Sequence, residues 1–449
     1  FYIEKSTAFK TPGHEEIELA LYKLYKITNE KKYLDLALYF LDSRGYQFIP
    51  WPDYCSHFNH FYAQDHLPVR QQKTAQGHSV RAMYLYCAMA DIGKEIYDKE
   101  LLDSCKAIFD DVYNKKMYIT GSLGGIEGFA VPYYLPNKTA YDETCASIAF
   151  MMFCQRMSFI FGGSIYHDII EKVLYNAYLS GVSLDGETFF YNNILEWDYN
   201  ACYCNPCIND GKTPQTPIPE RQKSFEVSCC PANASRFAGS IGSYIYSSDQ
   251  NTLFVNQFIE NKLEKNLFDK DVYIECITDY PRNGKIQINI KNMKDNYIAI
   301  RIPAWCTKYS FSSAGIKRNG YYYILVTSDF MTLNINFEMK PVAVICNPNI
   351  HENIGKCAVT MGPIVYCAEG IDNKSSITNI FIEKDFSYKI EYNDYFKNNT
   401  LTISAKKLKN FSAPFISSAE FEDTSVKLIP YSTFANRGIS EMKVFFNFK

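Results

Sequence analysis

Apolar residues in the first half of the chain recur at the spacing of an α-helix. A period of about 3.6 residues is typical of helices that bury one face. A short polar break at residues 27–31 separates the first two stretches, which predicts a pair of antiparallel helices; repeated pairs of this kind build helical toroids or solenoids. The predicted helices are Glu15 to Ile27, Lys32 to Leu41, His78 to Ala90, Thr144 to Ser158, Tyr166 to Leu179 and Ala234 to Ile245.

From about Leu253 the apolar period changes to two, which is typical of half-buried β-strands. A natural break follows Asn347-Pro348-Asn349. Since 449 residues exceed the size of one hydrophobic core, we predict a helical domain at 1–247 and β-sandwich domains at 248–350 and 351–449. The predicted strands are Leu253 to Val255, Lys285 to Ile290, Tyr297 to Ile302, Tyr321 to Val326, Met331 to Phe337 and Cys357 to Ala368.

Charge and composition limit which binding partners and which cellular compartment are expected. The formal net charge is -3, so no basic excess exists to neutralise nucleic acid. The sequence contains no run of about 18 apolar residues, so it predicts no membrane-spanning helix.

The fifteen cysteines are an odd number, and most lie singly in apolar segments, which predicts a reducing compartment, the cytoplasm. The first residue, Phe1, opens neither a signal peptide nor a chain with an initiator methionine, so the start is expected to be truncated.

Glu143-Thr144-Cys145 precedes one of the predicted helices. Residues two apart do not share a helix face, so Glu143 and Cys145 converge only if they lie in the turn that enters the helix. That placement suits a pair of metal ligands. The alternative is that Asp142 or Thr144 caps the helix while Cys145 packs in the core.

Cys229-Cys230-Pro231 indicates a functional site more strongly than Glu143-Thr144-Cys145 does. Adjacent cysteines on a strand would point to opposite faces, whereas a turn followed by a helix would place both thiols at the helix N-terminus. The helix dipole lowers the pKa of a thiol there. The alternative is a buried pair of small apolar side chains.

Three thiolates and one carboxylate form a plausible tetrahedral zinc set, because Zn²⁺ accepts both cysteine sulfur and glutamate oxygen. A competing set combines Cys229 and Cys230 with the C-x-x-C portion of the cluster of Cys202, Cys204 and Cys207, which could form half of a structural zinc site. Spacing alone leaves both sets open.

Three further polar residues lie where they could contact a ligand. Glu127 follows a glycine-rich loop and could act as a general acid/base if burial raised its pKa, although a loop glutamate is more often solvated. His78 and His14 each open a predicted helix, where they could bind a hydroxylated ligand or be merely structural.

Ten short segments together resemble glycoside hydrolase family 127, the β-L-arabinofuranosidases. They recur in that family in the same order and span essentially the whole chain. They are Pro12–Glu18, Gln64–Arg70, Gly77–Tyr84, Tyr118–Gly121, Glu143–Ala146, Cys229–Pro231, Arg301–Trp305, Gly362–Cys367, Leu428–Tyr431 and Ala435–Gly438.

The resemblance implies a multidomain α+β protein, with an (α/α)6 barrel followed by β-sandwich domains. Family members carry a further helical segment before the position of Phe1, so the barrel is expected to be partial here. The implied activity is retaining, exo-acting release of terminal β-L-arabinofuranose from an oligosaccharide or glycoconjugate. Nucleic acid and membrane are not expected as partners, and a homodimer through the β domains stays open.

The resemblance also assigns roles by motif position. Cys229 corresponds to the nucleophile and Glu127 to the acid/base. The implied zinc ligands are Glu143, Cys145, Cys229 and Cys230, and the implied sugar-binding residues are His14, His78 and Tyr191.

Two other classes of function remain as alternatives at this point. One is a non-catalytic, zinc-stabilised carbohydrate-binding remnant of such an enzyme, and the other is a polysaccharide lyase built on a helical toroid. The pair Cys229-Cys230 favours the hydrolase, because a lyase has no use for a thiolate nucleophile.

Overall fold

The computed structural model describes residues 11–46, 59–198, 220–373, 377–409, 411–413, 415 and 417–449. The described residues form two compact units. The first unit contains the chain up to Gly162 together with 191–194 and 349–352. The second contains 163–190, 195–348 and the rest of the chain from Asn353.

The first unit is helical, as the apolar pattern predicts. Asn29, in the left-handed conformation, ends the first helix and begins the turn into the second, so the predicted helix pair is confirmed. The helices are α1 Ile17–Thr28, α2 Lys31–Ser43, α3 Ser79–Glu95, α4 Lys99–Lys115 and α5 Thr144–Phe161; a 3₁₀ turn at Val69–Gln71 and the paired strands β1 Gly77–His78 and β2 Gly128–Phe129 complete the unit.

Helix α5 is long and apolar enough, by length and composition alone, to cross a membrane. It is 67% buried inside the fold, as the core helix of a globular domain is. Its one charged residue, Arg156, donates from Nε to Asp91 at 2.7 Å. The helix is therefore accounted for by packing against other parts of its own unit.

A buried ion cluster lies in the first unit, around the start of α1. The Arg44 side chain is fully buried and lies 2.9 Å from Glu15 and 3.3 Å from Glu18. Arg44 also donates to the carbonyl oxygens of Ala63 and Pro12. Because burial outweighs the attraction of Arg44, the pKa of Glu15 is raised to about 8.

The second unit begins with helix and continues as β-structure. Its helices are α6 Ile165–Val173, which continues as a π-helical turn at Leu174–Tyr178, α7 Cys229–Ala238 and α8 Gly370–Asn373, with 3₁₀ turns at Ile241–Tyr244 and Tyr431–Thr433; a further 3₁₀ turn, His351–Asn353, begins in the first unit. Its first strands are β3 Glu196–Trp197, β4 Tyr246–Ser248, β5 Thr252–Val255, β6 Asn261–Leu267, β7 Lys270–Thr278, β8 Lys285–Lys291, β9 Tyr297–Arg301, β10 Tyr309–Phe311, β11 Ile316–Arg318, β12 Tyr321–Leu325 and β13 Phe330–Phe337. The remaining strands are β14 Pro341–Ile345, β15 Lys356–Met361, β16 Ile364–Glu369, β17 Ile380–Ile382, β18 Tyr388–Asn393, β19 Asn398–Leu408, β20 Phe421–Pro430, β21 Met442–Lys443 and β22 Phe445–Phe448.

Two five-stranded sheets form a sandwich in this unit. Their strand orders are β10-β13-β8-β7-β6 and β11-β12-β9-β5-β4. One buried apolar cluster joins them, with Ile274 and Ile288 from the first sheet and Val255 and Ile298 from the second. A separate ten-stranded sheet runs β14-β15-β22-β17-β19-β20-β16-β21-β3, with β18 paired to β19, and it has its own core. The domain boundaries 1–247, 248–350 and 351–449 stay predictions.

Two predicted elements differ from the structure. The helix predicted at Ala234 to Ile245 begins earlier, at Cys229, and ends at Ala238. It ends there because Gly239 and Gly242 are poor helix-forming residues. The strand predicted at 357–368 is a hairpin of β15 and β16, because Gly362 adopts a φ of 58° and reverses the chain.

Candidate metal centre

Glu143 and Cys145 lie at the start of α5, as the sequence predicts. Glu143 has extended dihedral angles at the N-cap position, and the helix begins at Thr144. Both Glu143 and Cys145 are 1% exposed. Because the backbone changes from extended to helical between them, two residues that would diverge within a helix point to the same place.

Cys229 and Cys230 are the first two residues of α7. Ser228 occupies the N-cap position, and Pro231 fits the first turn because proline needs no hydrogen bond to its nitrogen there. The two sulfur atoms are 3.8 Å apart, well beyond the length of a disulfide bond. Cys230 is fully buried, whereas Cys229 is exposed.

The four predicted ligands come together. One ligand atom from each of Glu143, Cys145, Cys229 and Cys230 lies within 4.8 Å of all the others. Cysteine sulfur and carboxylate oxygen are both common ligands of divalent transition metals. This cluster can therefore hold a metal ion. The competing ligands Cys202, Cys204 and Cys207 lie outside the described residues.

His78 and Glu127 are brought together by the short β1–β2 ladder, in which His78 pairs with Gly128. Gly77 is needed beside His78, because its φ is 72° and the carbonyl of Phe61 leaves no room for a Cβ. The His78 Nε2 atom lies 3.6 Å from a carboxylate oxygen of Glu127. The histidine also caps α3, where its Nδ1 accepts from the backbone of Arg81 at 3.4 Å.

Two tyrosines that the sequence analysis does not identify lie near both predicted carboxylates. Burial raises the pKa of Tyr141, and the charges of Glu127 and Glu143 raise it further. The pKa of Tyr62 is raised by the same causes, burial first. Glu127 and Glu143 therefore both act electrostatically on these two hydroxyls. The Tyr62 ring also packs edge-on against His78, with centroids 5.3 Å apart.

Tyr191 and His14, the remaining predicted sugar-binding residues, have different surroundings. The Tyr191 carbonyl accepts a hydrogen bond from Thr144 at 3.1 Å, and its ring packs edge-on against Tyr141. His14 is exposed, with its ring 6.2 Å from that of Tyr84. Arg81 connects the two histidine-bearing segments, because its guanidinium donates to the carbonyl of Gly13 while its backbone bonds to His78.

A family model described as β-L-arabinofuranosidase, GH127 catalytic domain, matches residues 4–243, more than half of the chain. Models of the GH127 middle and C-terminal domains match 252–339 and 341–447. The chain belongs to glycoside hydrolase family 127.

Relatives in family 127 cover most of its length. The chain is 32% identical, over 96% of its length and 70% of the relative's, to a non-reducing end β-L-arabinofuranosidase of Bifidobacterium longum subsp. longum. A crystal structure of a family 127 β-L-arabinofuranosidase from Geobacillus stearothermophilus T6 superposes with a TM-score of 0.90 at 32% identity, covering 100% of this chain and 74% of that one. A second family 127 structure, a β-arabinofuranosidase, gives a TM-score of 0.87 at 32% identity, with 100% and 70% covered.

These matches confirm the resemblance and the mixed α and β fold class of the family 127 protein. They also make the chain a glycoside hydrolase. The lyase is therefore no longer needed to account for the sequence.

Proposed function

We propose that this family 127 enzyme is a retaining exo-glycosidase that releases terminal β-L-arabinofuranose, with Cys229 as nucleophile and Glu127 as acid/base. The observation that carries the proposal is the cluster of three sulfurs and one carboxylate within 4.8 Å. The identity of the sugar is inferred from the relatives, which are β-L-arabinofuranosidases. The proposed substrates are arabinofuranosyl-containing oligosaccharides or glycoconjugates.

The ligand set fits zinc. Two sulfurs that each lie about 2.3 Å from a tetrahedral zinc are about 3.8 Å apart, and the Cys229 and Cys230 sulfurs are separated by 3.8 Å. Glu143, Cys145, Cys229 and Cys230 would supply the four ligands. When bound, Zn²⁺ keeps the cysteine sulfurs ionised as thiolates at neutral pH. None of the described cysteines forms a disulfide bond, which also supports the proposal of a reducing, cytoplasmic location.

Cys229 suits the role of nucleophile because of its accessibility. Cys145 and Cys230 are buried, so Cys229 is the most accessible of the three cysteines in the cluster. Its position at the N-terminus of α7 adds the favourable end of the helix dipole. In the first step the Cys229 sulfur forms a bond to the anomeric carbon. The bond from that carbon to the leaving oxygen breaks, and Glu127 gives its proton to the leaving oxygen.

The second step reverses these roles. Glu127, now ionised, takes a proton from water, and the water oxygen forms a bond to the anomeric carbon. The carbon–sulfur bond breaks, and its electron pair returns to Cys229. Two displacements at one carbon give net retention of configuration. We assign sugar binding to His14, His78 and Tyr191; His78 lies 3.6 Å from Glu127.

We expect one zinc per chain in the purified protein, measured by elemental analysis. Cys145→Ala should lower this content well below one, because it removes a buried ligand. Cys154→Ala is the matched control, since Cys154 is equally buried on the same helix and lies outside the cluster; it should keep the full zinc content. A wild-type protein that hydrolyses an aryl β-L-arabinofuranoside without bound zinc would overturn the proposal.

A further inference from the structure

The segment 191–193 contacts the chain on both sides of Glu143. The carbonyl of Asp142, just before Glu143, accepts two hydrogen bonds from Asn193, from the backbone N–H at 3.2 Å and from the side-chain amide at 2.9 Å. The N–H of Thr144, just after Glu143, donates to the carbonyl of Tyr191 at 3.1 Å. Both peptide groups that flank Glu143 are thus held by one segment.

Side chains reinforce these backbone contacts. The Asn193 amide also donates to the hydroxyl of Thr144 at 3.0 Å, so a single side chain bridges the residues before and after Glu143. The neighbouring Asn192 donates to the carbonyl of Tyr141 at 2.8 Å. Asn193 is fully buried, which shields these hydrogen bonds from competition with water.

The turn that carries Glu143 adopts a conformation that needs such support. Asp142 has a φ of 37°, in the left-handed region that a residue with a Cβ rarely adopts. Strained dihedral angles of this kind persist only where the surroundings fix them. Two donors on the Asp142 carbonyl, together with a bond from its own N–H to the carbonyl of Gly124 at 3.0 Å, supply that constraint.

We infer that Asn193 is a positioning residue for the metal centre: its side-chain amide fixes the turn that aims Glu143 at the three cysteine sulfurs. This inference rests on the proposed zinc site. It assigns a role to a residue outside the set of four proposed ligands. Residues that orient metal ligands typically change metal affinity by about 10- to 100-fold when they are replaced.

The test is the zinc dissociation constant, measured by competition with a chromogenic chelator. Asn193→Ala should raise this constant about 10- to 100-fold. Asn193→Ser, which keeps one short donor, should give a smaller increase. The matched control is Asn176→Ala, because Asn176 is also fully buried and its amide also donates twice, to the carbonyls of Lys172 and Pro363. The control should lose stability without losing zinc affinity.

The outcomes separate this inference from the proposed function. If wild-type protein binds no zinc, the proposed metal site fails. If wild-type protein binds zinc and Asn193→Ala, folded by circular dichroism, binds it equally tightly, the positioning role of Asn193 is overturned. Equal losses of zinc affinity in Asn193→Ala and Asn176→Ala would overturn it too, since the effect would then follow from general destabilisation. If Asn193→Ala does not fold, Asn193→Ser decides by the same criterion.

Discussion

Cys229→Ser is expected to lower the rate of hydrolysis of an aryl β-L-arabinofuranoside by about 10⁴-fold or more, a loss of the size seen when other enzymes lose their nucleophile. A serine hydroxyl stays protonated under conditions in which a metal-bound cysteine is ionised, so it is a far weaker nucleophile. Three ligands remain in the cluster, and zinc should stay largely bound. The measurement is kcat together with zinc content on the same preparation.

Cys346→Ser is the control for this substitution. Cys346 is half-buried in the second unit and lies outside the ligand cluster, so its replacement should leave kcat within a few-fold of wild type. A Cys229→Ser protein that hydrolyses the substrate normally would contradict the role of Cys229.

Arg301→Met is expected to cause the largest loss of stability, about 3–5 kcal/mol. The Arg301 guanidinium is fully buried and lies 2.6 Å from Asp168, and it also contacts Glu171, which is 1% exposed. These contacts connect α6 with β9 in the second unit. Methionine fills a similar volume but leaves two carboxylates without their cation, and desolvated charges are costly. The free energy of unfolding in urea measures the loss.

The control is Arg282→Met, the same change at an ion pair on the surface. Arg282 and Asp279 have side chains 37% and 61% exposed, so the expected cost is about 0–1 kcal/mol. Combining Arg301→Met with Glu171→Gln should recover part of the loss, because Tyr280 and Trp305 can still bond to the amide. Equal losses for Arg301→Met and Arg282→Met would show that the buried cluster has no special role.

Local patterns predicted most of the helices and the two ligand pairs, because each depends on neighbours in sequence. The placement of Glu143 and Cys145 follows from the change of backbone conformation at a helix start. Helix α4 is absent from the predicted helices, although Leu101, Cys105 and Ile108 have the helical period and are fully buried.

Contacts between distant segments were beyond the reach of these patterns. The convergence of the Glu143 and Cys229 ligand pairs, far apart in sequence, came from the family resemblance and not from spacing. No periodic sequence pattern identifies Asn193, Tyr62 or Tyr141, because their surroundings are formed by segments that are distant in sequence. Gly77 is a local feature that the sequence analysis did not interpret: a glycine next to His78 permits the close approach of the Phe61 carbonyl.

The most direct test of the central claim is to trap the sugar on Cys229. In Glu127→Ala, an aryl β-L-arabinofuranoside with an acidic phenol needs no proton for departure, whereas release of the sugar lacks its general base. The covalent adduct should therefore accumulate. Peptide mass spectrometry after a rapid quench is expected to show one anhydropentose unit on the peptide that contains Cys229. An adduct on a carboxylate peptide, or no adduct while product forms, would contradict the account.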